Sequence, residues 1–196
     1  MRGSILVVDD DPIIRMDLRE MLEEEGYQVV GEAGNGEQAV DLAARLKPEL
    51  VIMDVKMPLM NGIKAAQIIR RMQQLDTAIL LLTAYSQRDL VRDAREAGVT
   101  AYLVKPVSEE DLIPAVEIAL SQREKLGALQ KDLEGLKQSI EDHKQIDKAK
   151  RVWMKATGSN EEQAHRALQR MSMKEQLPLR KLADRILTEG VGRWSG

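Results

Sequence analysis

Four acidic side chains stand where apolar runs end. Asp9, Asp10 and Asp11 follow Ile5–Val8, and Asp54 follows Leu50–Met53. If both runs are strands of one sheet, at least three carboxylates converge on one rim. Like charges packed together are unfavourable unless a cation compensates or a proton is taken up. A hard divalent cation suits such a cluster: Mg²⁺ takes oxygen ligands, keeps several waters and shares itself with phosphate. Two further run ends carry complementary groups, Thr83 after Ile79–Leu82 and Lys105–Pro106 after Ala101–Val104. A hydroxyl and an ammonium beside carboxylates make a phosphoryl site. There a carboxylate oxygen of Asp54 attacks phosphorus and becomes an acyl phosphate, while the cation, Lys105 and Thr83 stabilise the equatorial oxygens. Taken singly, the acids read as surface charge, with Asp11 capping a helix ahead of Pro12, and Thr83 and Lys105 read as ordinary strand-end residues. The conjunction of four run ends carries the chemistry.

These groups meet only if a parallel sheet positions them. The first 121 residues alternate β-rich runs (Ile5–Val8, Gln28–Val30, Leu50–Met53, Ile79–Thr83, Ala101–Val104) with helix-like stretches (Pro12–Glu25, Gly36–Leu46, Gly62–Gln74, Gln87–Ala97). Nearly pure apolar runs are those of strands buried on both faces. Gly26 and Gly98 sit at helix C-cap positions. Five β/α repeats predict an α/β fold with helices on both faces, and ligands in such folds collect at the carboxyl ends of the strands. Ser108 and Asp111 form a capping pattern for one more helix; Pro114, too deep for a first turn, should kink that helix or reset its start.

The chain has 196 residues with 29 basic and 32 acidic side chains, 43% hydrophobic content and no Cys. This excludes a disulfide scaffold and a thiolate zinc site. The longest apolar stretch, Ala78–Leu82, is too short to span a bilayer, and the early acids argue against a secretory signal, so no membrane role and a cytoplasmic location are expected. Charge is unevenly spread. Residues 1–121 carry 13 basic and 21 acidic side chains, residues 122–143 carry 4 and 5, and residues 144–196 carry 12 and 6. An acidic front and a basic tail point to modules with different partners, the tail's being a polyanion or simply solvent.

The strings Val7–Pro12 (VVDDDP), Asp54–Gly62 (DVKMPLMNG), Leu82–Ala84 (LTA) and Tyr102–Pro106 (YLVKP) closely resemble, in order and spacing, the receiver domain of bacterial response regulators. The resemblance spans residues 4–121. It implies a flavodoxin-like (βα)5 domain with a five-stranded parallel sheet of order 2-1-3-4-5. It makes Asp54 the phosphoacceptor, with Asp9, Asp10 and the Lys56 backbone carbonyl as Mg²⁺ ligands alongside Asp54. Thr83 becomes the switch hydroxyl, Tyr102 the switch aromatic and Lys105 the phosphate-binding lysine, with a cis Lys105–Pro106 peptide. It also implies a sensor histidine kinase as phosphodonor, and no enzymatic activity beyond self-phosphorylation and autodephosphorylation.

Beyond residue 121 the pattern changes. Leu126, Leu129, Leu133, Leu136 and Ile140 repeat at 3-4-3-4 spacing, the seam of a coiled coil, with Ala119 extending it backward; Gly127 and Gly135 each weaken such a helix by roughly 1 kcal/mol. A long amphipathic helix packed on its own chain is the competing reading. Three short helices follow. The first continues the coil through Ile146, Ala149 and Trp153 to Gly158. The second opens at Ser159, with Glu162 completing a capping box. The third follows Pro178 and closes at Gly190. Ile146, Ala149–Lys150, Met154, Gly158–Ser159, Glu162, Ala164, Leu168, Met171–Met173, Leu182–Ala183 and Ile186–Leu187 resemble the ANTAR domain, an RNA-binding antitermination module. The organisation expected is a receiver at 1–121, a coiled-coil helix at 122–143 and an ANTAR domain at 144–196, as in the regulators of ethanolamine and amidase operons. The resemblance implies RNA hairpins in leader transcripts as target and, when active, a homodimer through the coil. Candidate RNA contacts are Lys148, Lys150, Arg151, Lys155, Arg166, Arg170, Lys174, Arg180, Lys181 and Arg185, while Trp153 either packs inside or stacks on a base. A DNA-binding transcription factor and a protein-interaction adaptor are the rival readings.

Overall fold

The computed structural model describes residues 2–72, 77–84 and 97–192. Its strands are β1 (Ser4–Val8), β2 (Gln28–Ala33), β3 (Leu50–Asp54), β4 (Ala78–Thr83) and β5 (Ala101–Val104). They form one parallel sheet in the order β2-β1-β3-β4-β5. β3 and β4, flanked on both sides and covered on both faces, are buried at every position. That is why their sequences are unbroken apolar runs ending in one polar residue.

Side-chain alternation divides the core into two. Leu6, Val8, Val51, Met53, Ile79 and Leu81 point to the face covered by helices α2 (Gly36–Leu46) and α3 (Gly62–Met72). Ile5, Val7, Leu50, Ile52, Leu80 and Leu82 point the other way, onto α1 (Pro12–Glu24) and the start of α4 (Glu109–Thr157). Asn35 caps α2, its side chain accepting from the Gln38 N–H. The fourth helix-like stretch, Gln87–Ala97, lies outside the described residues apart from Ala97.

The sequence expectation for α4 needs correction. Pro114 does not reset the start of the helix, which extends for 49 residues from Glu109 with the proline inside it. The proline removes one backbone donor near the N-terminus, while Leu112, Val116 and Ala119 of the same segment are fully buried in the second core. Ala119 therefore belongs to that core rather than to the coil seam.

The chain divides into two compact units, Met1–Leu129 and Gln130–Gly196. The second has its own core: Ala149 and Trp153 of α4, Ala164 and Leu168 of α5 (Glu161–Lys174), and Leu182, Ala183 and Ile186 of α6 (Leu179–Glu189). Trp153 packs inside. Gly158, at φ +70°, ends α4, and its N–H donates to the Met154 carbonyl. The second tail helix opens one residue later than expected. Asn160 is the N-cap and Gln163 its reciprocal partner, because the Ser159 hydroxyl bonds Thr157 and Glu162 pairs with Arg166. No helix among the described residues is long and apolar enough to cross a membrane.

Candidate functional site

The carboxyl ends of β1, β3, β4 and β5 share one edge of the sheet. Asp54 is the last residue of β3 and opposes Leu82, so Thr83 lies one position further along the neighbouring strand. Thr83 in turn opposes Val104, and its carbonyl accepts from the Lys105 N–H at 2.8 Å. The Lys105–Pro106 peptide is cis. Lys105 Nζ stands 2.6 Å from Asp9 Oδ2 and 2.9 Å from Asp54 Oδ1. Asp9 and Thr83 are buried with Asp54, whereas Lys105 remains 20% exposed.

Backbone donors fix the remaining carboxylate oxygens. The Asp11 N–H donates to Asp9 Oδ1 at 3.0 Å and the Lys56 N–H donates to Asp54 Oδ2 at 2.9 Å. Burial pushes the Asp54 carboxyl above the usual carboxylate range, with the Asp9 charge adding to the effect, even though Lys105 and the Lys56 N–H pull the other way. Burial alone would lower the Lys105 pKa, but its hydrogen bonds to Asp9 and Asp54 prevail and raise it. One ammonium thus stands between two carboxylates, a net negative pocket at the sheet edge.

The expected residues do not all join this cluster. Asp10 is exposed, and Asp11 serves as the α1 N-cap, accepting from the Ile13 N–H at 2.8 Å. Tyr102 points outward from β5, 46% exposed. Among the described residues no three carboxylate or imidazole side chains form a ready metal cage. Mg²⁺ nonetheless fits the donors present, since it is content with one or two carboxylates plus waters and phosphate oxygens, and Asp54 is short of compensating charge. Gly62 is a site residue whose geometric role the motif strings did not expose. Its N–H donates to the Val55 carbonyl at 3.0 Å, and a Cβ there would stand 2.2 Å from the Asp54 carbonyl oxygen.

In the tail, three of the ten candidate cations are already paired: Lys150 with Asp147 and Glu161, Arg166 with Glu162, and Arg180 with Asp142 and Asp184. Lys148, Arg151, Lys155, Arg170, Lys174, Lys181 and Arg185 are exposed.

A doubly wound parallel sheet with an acidic pocket and a lysine at its carboxyl edge defines a receiver-type domain. The family models agree: residues 5–117 match the response regulator receiver domain and residues 134–187 match the ANTAR domain. The chain belongs to the response regulators, a receiver followed by an ANTAR domain. It is 46% identical over 183 residues to the transcriptional regulatory protein PdtaR of Mycobacterium tuberculosis, covering 93% of this chain and 88% of that protein. Among solved structures, the receiver domain of the putative response regulator NarL from Mycobacterium tuberculosis superposes with a TM-score of 0.58 at 29% identity, over 61% of this chain and 96% of that one. CheY of Borrelia burgdorferi, solved in a CheX-CheY-BeF3-Mg+2 complex, superposes with a TM-score of 0.56 at 25% identity, over 58% and 85%.

Proposed function

We propose that this response regulator is switched by phosphorylation of Asp54 and acts through RNA, its ANTAR domain binding leader-transcript hairpins to cause antitermination. The observation that carries the reading is the Lys105 ammonium between Asp9 and Asp54. An Asp54 oxygen attacks the phosphorus of a phosphohistidine on a sensor kinase. The P–N bond breaks, the P–O bond forms, and the imidazole leaves with its electron pair and takes a proton. Lys105 follows the developing charge on the transferred group. Asp9, Asp10, Asp54 and the Lys56 carbonyl would hold Mg²⁺, which supplies charge neutralisation for the incoming phosphate oxygens. The CheY complex with beryllium fluoride and magnesium supports this pairing of ion and phosphoryl mimic.

The readout we assign to Thr83 and Tyr102: the Thr83 hydroxyl moves toward the phosphoryl group, and Tyr102 turns inward from its exposed position. Within the organisation proposed from sequence (receiver 1–121, coil 122–143, ANTAR 144–196), the switch favours a homodimer through the coil. The state of the seam supports this. Leu126, Leu129, Leu133, Leu136 and Ile140 are 48–59% exposed, an apolar stripe of the kind a second coil would cover.

The test treats wild type and Asp54→Asn with a small-molecule phosphodonor and Mg²⁺. Label, sedimentation and binding to a tandem stem–loop RNA are then read against duplex DNA of equal length. Acid-stable stoichiometric label on Asp54→Asn refutes the site. An unchanged sedimentation coefficient on phosphorylation refutes the dimer switch, and preference for the duplex returns the protein to the DNA-binding class.

A further inference from the structure

The ten basic candidates of the tail are not equivalent. Lys150 is only 14% exposed between Asp147 and Glu161, and Arg180 is held between Asp142 and Asp184. A cation so held reaches a phosphate only by abandoning its carboxylates. Lys148, Arg151 and Lys155 of α4 have no carboxylate within 4.0 Å among the described residues; Asp147, the nearest acid in sequence, is turned to Lys150 at 2.7 Å.

Their spacing sets them in line. At 3.6 residues per turn, Lys148, Arg151 and Lys155 fall within an arc of about 60°. Lys144 lies on the same arc, with its single acid, Glu141, at 4.0 Å. The buried residues Ala149 and Trp153 of the same helix lie on the far side, about 130° and 170° around the axis from the centre of the ridge. From Lys144 to Lys155 the line is about 16 Å long at 1.5 Å per residue. Like charges at i, i+3 and i, i+4 repel, and the flanking acids Glu141 and Asp147, the latter acting on Arg151 as well as on Lys150, do not fully relieve them. A chain of closely spaced phosphates does.

The geometry points to this ridge, Lys148–Arg151–Lys155 with Lys144 at its end, as the surface that grips the phosphate backbone of the RNA, while the paired cations Lys150 and Arg180 serve the fold. The inference rests on the RNA-binding reading above and narrows it to one face of one helix. Contacts of this kind fix affinity and register rather than sequence, so base readout falls to other parts of the domain.

The test uses the full-length, phosphodonor-treated protein and a tandem stem–loop RNA, with affinity measured from 50 to 300 mM salt. Each lost phosphate contact lowers the slope of log affinity against log salt by about 0.7–0.9. The triple variant Lys148→Gln, Arg151→Gln, Lys155→Gln is expected to lose about two to three from that slope and roughly 50- to 150-fold in affinity at 0.15 M salt. A control removing the same charge from the first unit, Arg45→Gln, Lys64→Gln, Arg71→Gln, keeps the wild-type slope. Because the ridge is exposed, the triple variant keeps the wild-type circular dichroism melt; should it not fold, Arg151→Gln alone lowers the slope by about one. A wild-type slope in the folded ridge variant overturns the ridge and leaves RNA binding standing, as does an equal loss in the control. Wild-type protein that ignores the RNA, or prefers duplex DNA of equal length, overturns the RNA reading and the ridge together.

Discussion

Lys105 Nζ stands 2.9 Å from Asp54 Oδ1 while also reaching Asp9 Oδ2 at 2.6 Å. The lysine is therefore part of the fold as well as of the chemistry. Lys105→Ala leaves two buried carboxylates facing each other with no counter-charge. Removing one partner of a fully buried pair costs about 3–5 kcal/mol; with Lys105 one-fifth exposed, about 2–4 kcal/mol is expected. In a chain of this size each kcal/mol shifts the melting temperature by roughly 2–4 °C. The variant should melt lower by denaturation monitored at 222 nm, and its phosphodonor labelling should slow.

Asp54 carries a pH signature of its own. Burial raises its folded-state pKa above the ordinary 3.8, so in the window just above that value the folded chain holds its proton more tightly than the unfolded chain does. Stability from this group is then full below 3.8 and is lost as pH rises through the raised value. Asp54→Asn removes the loss. In metal-free buffer the variant should be more stable than wild type at neutral pH, and the gap should close on acidification. Mg²⁺ should raise the wild-type melting temperature by mass action and raise that of Asp54→Asn less. Equal stability of the two proteins from pH 3.5 to 8 would contradict the account.

Gly62 sits against the backbone of the phosphoacceptor. A Cβ at 2.2 Å from the Asp54 carbonyl oxygen, with Val55 Cα at 3.2 Å, meets main chain that cannot rotate away. Gly62→Ala must displace either the strand end or the loop. Overpacking of this kind costs about 1–3 kcal/mol, and the displaced carboxylate should also label more slowly. Wild-type labelling and melting in this variant would mean the loop yields freely.

What could be read from sequence follows burial. β3 and β4 lie inside the sheet, so each position is apolar and the polar residue that ends the run announces the site; Asp54 and Thr83 were legible for that reason. β2 is an edge strand, and its second half, Gly31–Ala33, carries Glu32, which pairs with Arg19 at 3.0 Å; no alternation marks it, and the sequence reading stopped at Val30. The fusion of receiver helix and coil into one α4 was hidden by Pro114. Lys150 and Arg180 each have one local partner, Asp147 and Asp184, at helical spacing. The second partner of each, Glu161 and Asp142, lies 11 and 38 residues away, a separation at which no local pattern exists, so the clamping of these two cations did not show in the sequence.

The α5 cap separates two patterns offset by one residue. Ser159 with Glu162 and Asn160 with Gln163 both have the form of a capping box, and the latter makes both reciprocal bonds. Asn160→Ala should cost about 1 kcal/mol. Ser159→Ala, which loses only a bond to the Thr157 hydroxyl on an exposed turn, should cost a few tenths. Chemical denaturation of the two variants reads the difference, and the reverse order would put the cap at Ser159.

The leucine seam allows association to be tested without disturbing the fold. Leu133 and Leu136 are 57% and 59% exposed and belong to neither unit's core. In a monomer, replacing them with Asn removes little buried apolar area, so the melting temperature at low protein concentration should stay within a few degrees of wild type. In a coiled coil the same residues are knobs in the partner's holes, and burying their apolar surface contributes about 25 cal/mol per Å². Leu133→Asn, Leu136→Asn should therefore remain monomeric at phosphodonor concentrations that dimerise the wild type, with sedimentation velocity as the readout. Dimerisation of the double variant at wild-type concentrations would assign the interface to another surface.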